Sequence, residues 1–173
     1  MKIFLLALAL GLTGLRAESL DVFGGRDWTF YGGYEFPGAE GNLRPTRLDD
    51  REAVVLSFDF TKGGAYVAGR VVVEIPESAK TFSFAAKSDR PLKLTLRVKD
   101  STDQIHTYKP VYDQAGEWQN FSVDLREDVA GHFGGANDGT IHFPIRQVTL
   151  GVVKDKAATA PGEIFFAAPI SVP

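Results

Sequence analysis

The chain has 173 residues, of which 44% are hydrophobic and 24% charged, proportions typical of a folded domain rather than of a disordered chain. Its 19 basic and 22 acidic residues leave a formal charge of −3, which gives no support to nucleic-acid binding. The sequence contains no cysteine, and this excludes disulfides, thiolate metal sites and cysteine nucleophiles. The 18 glycines and 9 prolines are typical of short strands joined by tight turns.

The first 17 residues have the composition of a secretory signal peptide. Lys2 precedes an apolar run over residues 3–12, and Ala17 supplies a small residue at the expected cleavage point. The run is too short to cross a bilayer as a helix, so we expect no membrane span after cleavage. The sequence therefore predicts an exported chain, secreted or periplasmic, whose mature part is residues 18–173. A buried N-terminal helix or strand is the less favoured alternative.

Residues of alternating polarity recur along the mature chain, and this period of two indicates strands with one buried face. Turn-forming residues separate the alternating segments. In chain order the predicted strands lie at residues 54–60, 71–75, 82–86, 92–99, 104–108, 121–125, 148–152 and 164–168. Short strands without helices between them predict an all-β sandwich or barrel, and we favour a two-sheet antiparallel β-sandwich that forms a single domain.

The same alternation predicts a polar face on one sheet. Along the clearest strand the leucines point to a core, whereas Arg97 and Lys99 point outward. If the returning strand turns its odd-numbered residues inward, this outward face gains Gln104, His106 and Tyr108. An aromatic ring beside planar hydrogen-bonding groups can stack on a sugar and bind its hydroxyls. A face that is merely solvated through its charges is the competing interpretation, and alternation alone favours that one.

A glycine-rich loop over residues 131–139 is a second candidate site. Glycines allow a ligand close to the backbone, so His132, Asn137 and Asp138 could bind hydroxyl groups or a cation there. A tight connector with a turn at residues 137–139 explains the same composition, and we favour it modestly.

Three stretches of the chain resemble a known family. They are residues 34–41 (YEFPGAEG), residues 58–67 (FDFTKGGAYV) and residues 131–139 (GHFGGANDG). In order and spacing they resemble the galactose-binding-like jelly-roll domains attached to bacterial secreted glycoside hydrolases, whose fold carbohydrate-binding modules share. The resemblance extends over about residues 28–168. It implies a noncatalytic domain that binds a poly- or oligosaccharide on a sheet face or at one loop edge, with a separate glycoside hydrolase chain as a possible partner.

The resemblance also bears on a structural calcium ion. Domains of this kind often bind calcium partly through an aspartate of the last strand, where this sequence has Ala167 and Ala168. Glu35 and Glu40 are the candidate ligands that remain. Calcium takes six to eight oxygen ligands, so two glutamates alone make an incomplete site.

Two other functions stay open at this stage. The same sandwich could be a structural or interaction protein of the cell envelope that binds a protein partner. A small glycosidase would need two carboxylates about 5–9 Å apart in a cleft, and residues distant in sequence could supply them. The chain has no nucleophile elbow, phosphate-binding loop or dinucleotide fingerprint. We therefore expect a noncatalytic domain that binds carbohydrate.

Overall fold

Twelve β-strands make up the regular structure of residues 22–169, the part of the chain that the computed structural model describes. The predicted signal peptide, residues 1–17, lies outside the described residues. In chain order the strands are β1 (Thr29–Tyr31), β2 (Glu40–Leu48), β3 (Arg51–Asp59), β4 (Tyr66–Ile75), β5 (Thr81–Ser88), β6 (Leu92–Lys99), β7 (Ile105–Tyr108), β8 (Val111–Tyr112), β9 (Gln119–Asp124), β10 (Gly131–Phe133), β11 (Ile145–Val153) and β12 (Gly162–Ala167). Within the described range there is no helix long and apolar enough to cross a membrane.

The strands form two antiparallel sheets. The first sheet has the order β1-β4-β11-β6-β7-β10, and β8 also pairs with β6. The second sheet has the order β2-β3-β12-β5-β9. Neighbouring strands are often distant in sequence, as in the β4–β11 and β3–β12 pairs. The predicted all-β fold, a two-sheet antiparallel sandwich, is confirmed.

The core lies between the two sheets and is built from alternate residues of their strands. Val54, Leu56 and Phe58 of β3 are buried, and so are Ile164 and Phe166 of the neighbouring β12. Consecutive strand residues point to opposite sides of a sheet, so Val55, Ser57 and Phe165 point away from this core. On that side Ser57 and Phe165 are half-buried and Val55 is buried. The predicted alternation thus gives correctly the side of the sheet to which each of these residues points.

The hairpin between β6 and β7 differs from the prediction in its register. The backbone N–H of Asp100 donates to the carbonyl oxygen of Gln104 at 2.9 Å, which leaves three residues in the loop. The last of them, Asp103, has a left-handed φ of 69°, as three-residue hairpin loops require. This loop places Arg97 opposite Thr107, so the odd-numbered residues of β7 share the outward side with Arg97. A one-residue change of register moves every side chain of a strand to the other face.

The prediction that Gln104, His106 and Tyr108 lie on the outward face is therefore wrong. All three are buried, and Tyr108 is only 1% exposed. The Tyr108 hydroxyl donates to the carbonyl oxygen of Leu125 at 2.7 Å, and burial raises the pKa of this phenol. The core position satisfies the polar end of the ring, and Tyr108 cannot stack on a surface ligand.

Candidate functional site

The register of the first sheet creates one continuous surface on the side away from the core, which we call the outer face. Thr29, Arg70, Thr149, Arg97 and Thr107 follow one another across five strands. Residues two positions away on each strand point to the same side. The central part of the outer face thus consists of Tyr31, Tyr66, Ala68, Arg70, Val72, Thr95, Arg97, Lys99, Ile105, Thr107, Phe133, Gln147, Thr149 and Gly151.

Small residues form the floor of the outer face. Ala68, Gly151 and Thr95 lie side by side on β4, β11 and β6, and all three are buried, as is Thr149. A Cβ atom at Gly151 would collide with the carbonyl oxygen of Val67, so this position accepts only glycine without a shift of the backbone. The long side chains of the same face form a layer over this floor. Tyr66 is itself buried in this layer, whereas Tyr31, Arg70 and Arg97 are half-buried and can contact a ligand.

A carboxylate and two phenols are joined in that layer. The hydroxyl of Tyr31 donates to Glu35 Oε2 at 2.8 Å, and the hydroxyl of Tyr66 donates to Glu35 Oε1. Arg97 Nη1 donates to the Tyr66 hydroxyl oxygen at 3.0 Å. Burial acts to raise the pKa of Glu35, but the hydrogen bonds from Tyr66 and Tyr31 and the charge of Arg97 hold that pKa below its usual value. Glu35 is therefore an ionised group that fixes both rings.

Two arginines lie over these tyrosine rings. The guanidinium carbon of Arg70 is 3.2 Å from the ring centroid of Tyr31, and that of Arg97 is 4.5 Å from the ring centroid of Tyr66. The two ring centroids are 6.1 Å apart. We call Tyr31, Glu35, Tyr66, Arg70 and Arg97 the central cluster. Guanidinium groups held over rings are ordered, and their remaining N–H groups can donate to a ligand.

Exposed aromatic rings lie at both edges of the outer face. Tyr34, which follows β1, is 71% exposed and packs edge-on against Tyr31 with a centroid distance of 5.2 Å. Phe133 of β10 is 48% exposed, and its ring centroid is 5.9 Å from the guanidinium carbon of Arg97. Since β1 and β10 are five strand spacings apart, the two edges are roughly 24 Å apart. The outer face can thus hold an extended ligand, with stacking at its ends and hydrogen bonding in its middle.

Two of the predicted site residues belong to this surface. Arg97 is in the central cluster, and Lys99 lies beside it on β6, where its Nζ is 3.4 Å from Asp103 Oδ1. Arg70 and Tyr66 are not among the predicted site residues, because the strand predicted from the sequence starts at residue 71 whereas β4 starts at Tyr66. The alternation of β4 was the available signal, since every second residue from 66 to 74 points outward.

The glycine-rich loop is fixed by Asp138. Its Oδ1 accepts hydrogen bonds from the Thr140 backbone N–H at 2.9 Å and from Gln104 Nε2 at 3.2 Å, while its Oδ2 is 2.9 Å from His142 Nε2. The Thr140 N–H first, and then His142, lower the pKa of Asp138 to about 2. These contacts hold the loop against the β6–β7 hairpin.

The other two predicted residues of the loop are exposed. His132 packs beside Gly139, and Asn137 has a left-handed φ of 53°, in accord with the turn that we favoured. Their role as ligand-binding residues stays a prediction. The strand that opens this loop also carries Phe133 to the edge of the outer face.

Asp100 forms the buried end of the same connection. Its Oδ1 accepts hydrogen bonds from the Thr102 backbone N–H and hydroxyl, both at 2.8 Å, and from the Gln104 N–H at 3.0 Å. Its Oδ2 accepts the His142 N–H at 3.1 Å and lies 3.4 Å from His106 Nε2. Burial acts to raise the pKa of Asp100, but these hydrogen bonds outweigh it and lower the pKa to about 2.

The candidate calcium ligands do not fit a metal site. Glu35 is occupied by two tyrosine hydroxyls, and Glu40 Oε1 accepts a hydrogen bond from Lys62 Nζ at 2.7 Å. Residues 22–169 contain no group of three or more histidine, aspartate or glutamate side chains arranged to hold a metal ion. Nothing in this part of the chain therefore supports the predicted role of Glu35 and Glu40 in metal binding.

The fold is that of carbohydrate-binding modules. A family 11 carbohydrate-binding module from Clostridium thermocellum, in complex with a β-1,3-1,4-mixed-linked tetrasaccharide, matches with a TM-score of 0.59 and 16% identity over 82% of this chain and 85% of that one. The family 11 module of a cellulosomal cellulase of Clostridium thermocellum matches with a TM-score of 0.62 and 17% identity, over 87% and 90% of the two chains.

A larger protein contains a similar unit. An exo-β-agarase matches with a TM-score of 0.52 and 14% identity over 84% of this chain but only 25% of its own length. No protein-family model matches the chain, and no curated protein matches it in sequence. At these identities the similarity establishes the sandwich fold alone.

Proposed function

We propose that this protein is a noncatalytic domain that binds a poly- or oligosaccharide across the outer face of its first sheet. The observation that carries the proposal is the arrangement of rings and donors on that face. Tyr34 and Phe133 present exposed rings at opposite edges, and the central cluster lies between them. Rings stack on the apolar faces of pyranoses, and guanidinium and hydroxyl groups bind sugar hydroxyls.

The chemistry of the central cluster supports binding rather than hydrolysis. A glycosidase of the usual kind needs two carboxyl groups beside the scissile bond, one of them able to give up a proton. Among the described residues, Glu35 is the carboxylate of this cluster, and its two hydrogen bonds from tyrosine lower its pKa. A single carboxylate held in its ionised form orients neighbouring side chains but supplies no general acid.

We also propose that the chain acts outside the cytoplasm, beside a separate glycoside hydrolase. The signal-peptide composition of residues 1–17 supports export. The similarity to a quarter of the exo-β-agarase chain supports a role next to a catalytic unit. In this case the domain would keep a hydrolase near its polymer.

Affinity electrophoresis in native gels tests the proposed function. The gels contain mixed-linkage β-1,3-1,4-glucan, agarose, polygalacturonate or a sulfated galactan, and the control gel contains no polysaccharide. We expect at least one polymer to retard the protein. The affinity will be weak, since each exposed hydrogen bond contributes only about 1 kcal/mol against water. Equal mobility in every gel would contradict the proposal.

A further inference from the structure

We propose that the outer face selects an acidic saccharide, whose carboxylate or sulfate groups bind to Arg70 and Arg97. This inference rests on the proposed function, since it specifies the ligand class of the same surface. It follows from two features of these arginines: their positive charge, and the absence of an ion pair with a carboxylate of the described residues. A surface that binds only neutral sugars requires neither feature.

Neither arginine has a carboxylate within ion-pair distance in the described part of the chain, and the charge of Glu35 acts on Arg97 only from beyond that distance. None of the salt bridges within residues 22–169 involves Arg70 or Arg97. In addition, the Nε atoms of both side chains are buried and make no hydrogen bond there. Some cationic side chains pair with carboxylates, among them Arg44 with Glu163 and Lys62 with Glu40. Others, such as Lys109 and Arg146, also lack an ion pair among the described residues, but they are exposed to water, whereas Arg70 and Arg97 are half-buried.

The central cluster carries a local excess of positive charge. Two guanidiniums are set against the one carboxylate of Glu35, which reaches Arg97 only through the Tyr66 hydroxyl. Lys99 is balanced by Asp103. Glu74, also on the outward side of β4, lies four residues along the strand from Arg70, at about 13 Å. The net charge of the whole chain is −3, so the positive charge of the cluster is a local property of this surface.

An acidic sugar would supply what the two arginines lack. Taking a guanidinium partly out of water without an anionic partner is unfavourable, and a ligand carboxylate or sulfate restores that interaction. Hydrogen bonds between two charged groups are about twice as strong as those between neutral groups. The planar guanidinium also matches the geometry of oxyanions. Binding to the two arginines therefore favours an acidic polymer over its neutral counterpart.

Matched polymer pairs test this selectivity in affinity gels. One pair is polygalacturonate and its carboxyl-reduced form, and the other is a sulfated galactan and its desulfated form. We expect retention on at least one acidic polymer to be about ten-fold stronger than on its neutral partner, and to weaken at 0.5 M NaCl because salt screens the charges. The pair that shows the difference identifies carboxylate or sulfate as the recognised group.

Arginine variants assign the selectivity to residues. We expect Arg70→Gln and Arg97→Gln each to weaken retention on the acidic polymer about ten-fold, and to weaken retention on the neutral partner by clearly less, because a glutamine amide can still bind sugar hydroxyls but carries no charge. Arg44→Gln is the matched control, because Arg44 lies in β2 of the second sheet and pairs with Glu163. Thermal unfolding checks that each variant is folded, and the wild-type polymer comparison does not depend on any variant.

The possible outcomes separate this inference from the proposed function. Equal retention on both members of each pair, or equal losses on acidic and neutral polymers in the arginine variants, would overturn the selectivity and leave saccharide binding intact. Retention on no polymer would overturn the proposed function, and the selectivity with it.

Discussion

Replacement of Asp100 with alanine will lower the free energy of unfolding by about 3–5 kcal/mol. The carboxylate is fully buried and accepts hydrogen bonds from Thr102, Gln104 and His142. Its removal leaves these buried donors without an acceptor, and each such donor costs about 1–3 kcal/mol unless water reaches it. Urea unfolding followed by circular dichroism measures the change.

Asp113→Ala is the control for this variant, because Asp113 is an exposed aspartate between β8 and β9. We expect the free energy of unfolding of Asp113→Ala to lie within about 0.5 kcal/mol of that of the wild type. If the free energy of unfolding of Asp100→Ala lies within about 1 kcal/mol of that of the wild type, the carboxylate does not anchor the fold as we expect.

The same carboxylate makes the stability of the fold depend on pH in a direction that its pKa predicts. The pKa of Asp100 falls from 3.8 in the unfolded chain to about 2 in the fold, so its ionised form stabilises the fold. That contribution, about 2 kcal/mol, is complete above about pH 4 and is lost as the pH falls towards 2. Asp138, whose pKa is also lowered to about 2, acts in the same direction. Urea midpoints between pH 5 and pH 2 should therefore fall less steeply in Asp100→Ala than in the wild type, and parallel profiles would contradict this linkage.

Removal of either exposed ring at the edges of the outer face will weaken saccharide binding by about 10- to 100-fold. Full burial of an aromatic side chain is worth about 1.5–3 kcal/mol, and 1.4 kcal/mol corresponds to a factor of ten in affinity. We expect Tyr34→Ala and Phe133→Ala to show this loss of affinity in affinity gels. Because both rings are exposed, the free energy of unfolding of each variant should lie within about 1 kcal/mol of that of the wild type.

Trp118→Ala is the aromatic control. Trp118 precedes β9 in the second sheet, where its Nε1 donates to Asp49 Oδ2 at 2.8 Å. Because this ring is not on the outer face, its loss should leave retention by the polysaccharide unchanged. If Trp118→Ala weakens retention by the polysaccharide as much as Phe133→Ala does, the saccharide does not bind specifically to the outer face, and the proposed site is wrong.

Alternation predicts which residues of β6 face the core, but it does not do so for β7. In β6 lysine, threonine and arginine alternate with leucine and valine, so its two faces were assigned correctly. The β7 sequence IHTY has no such contrast, because a tyrosine is stable inside a core once its hydroxyl has a partner, and a buried histidine can lie against a carboxylate, as His106 Nε2 lies 3.4 Å from Asp100 Oδ2. The register then depends on the loop, and Asp103 adopts a left-handed conformation that its residue type only weakly indicates.

The candidate site was predicted only in part, because it is assembled by non-local strand pairing. Arg70, Thr149 and Arg97 lie in one row, although they come from strands far apart in sequence. Alternation gives the side to which each residue points but not which strands are neighbours. The central cluster could therefore not be found before the sheet order was known.

Amide chemical-shift mapping by NMR tests the central claim most directly. Isotope-labelled protein is titrated with trigalacturonate and, separately, with the β-1,3-1,4-mixed-linked tetrasaccharide. With at least one of these probes, we predict shifts along the outer face, at Tyr31, Arg70, Thr149, Arg97 and Phe133. Shifts confined to β2, β3, β12, β5 and β9, or to the loop at residues 134–140, would contradict the assignment of saccharide binding to the first sheet.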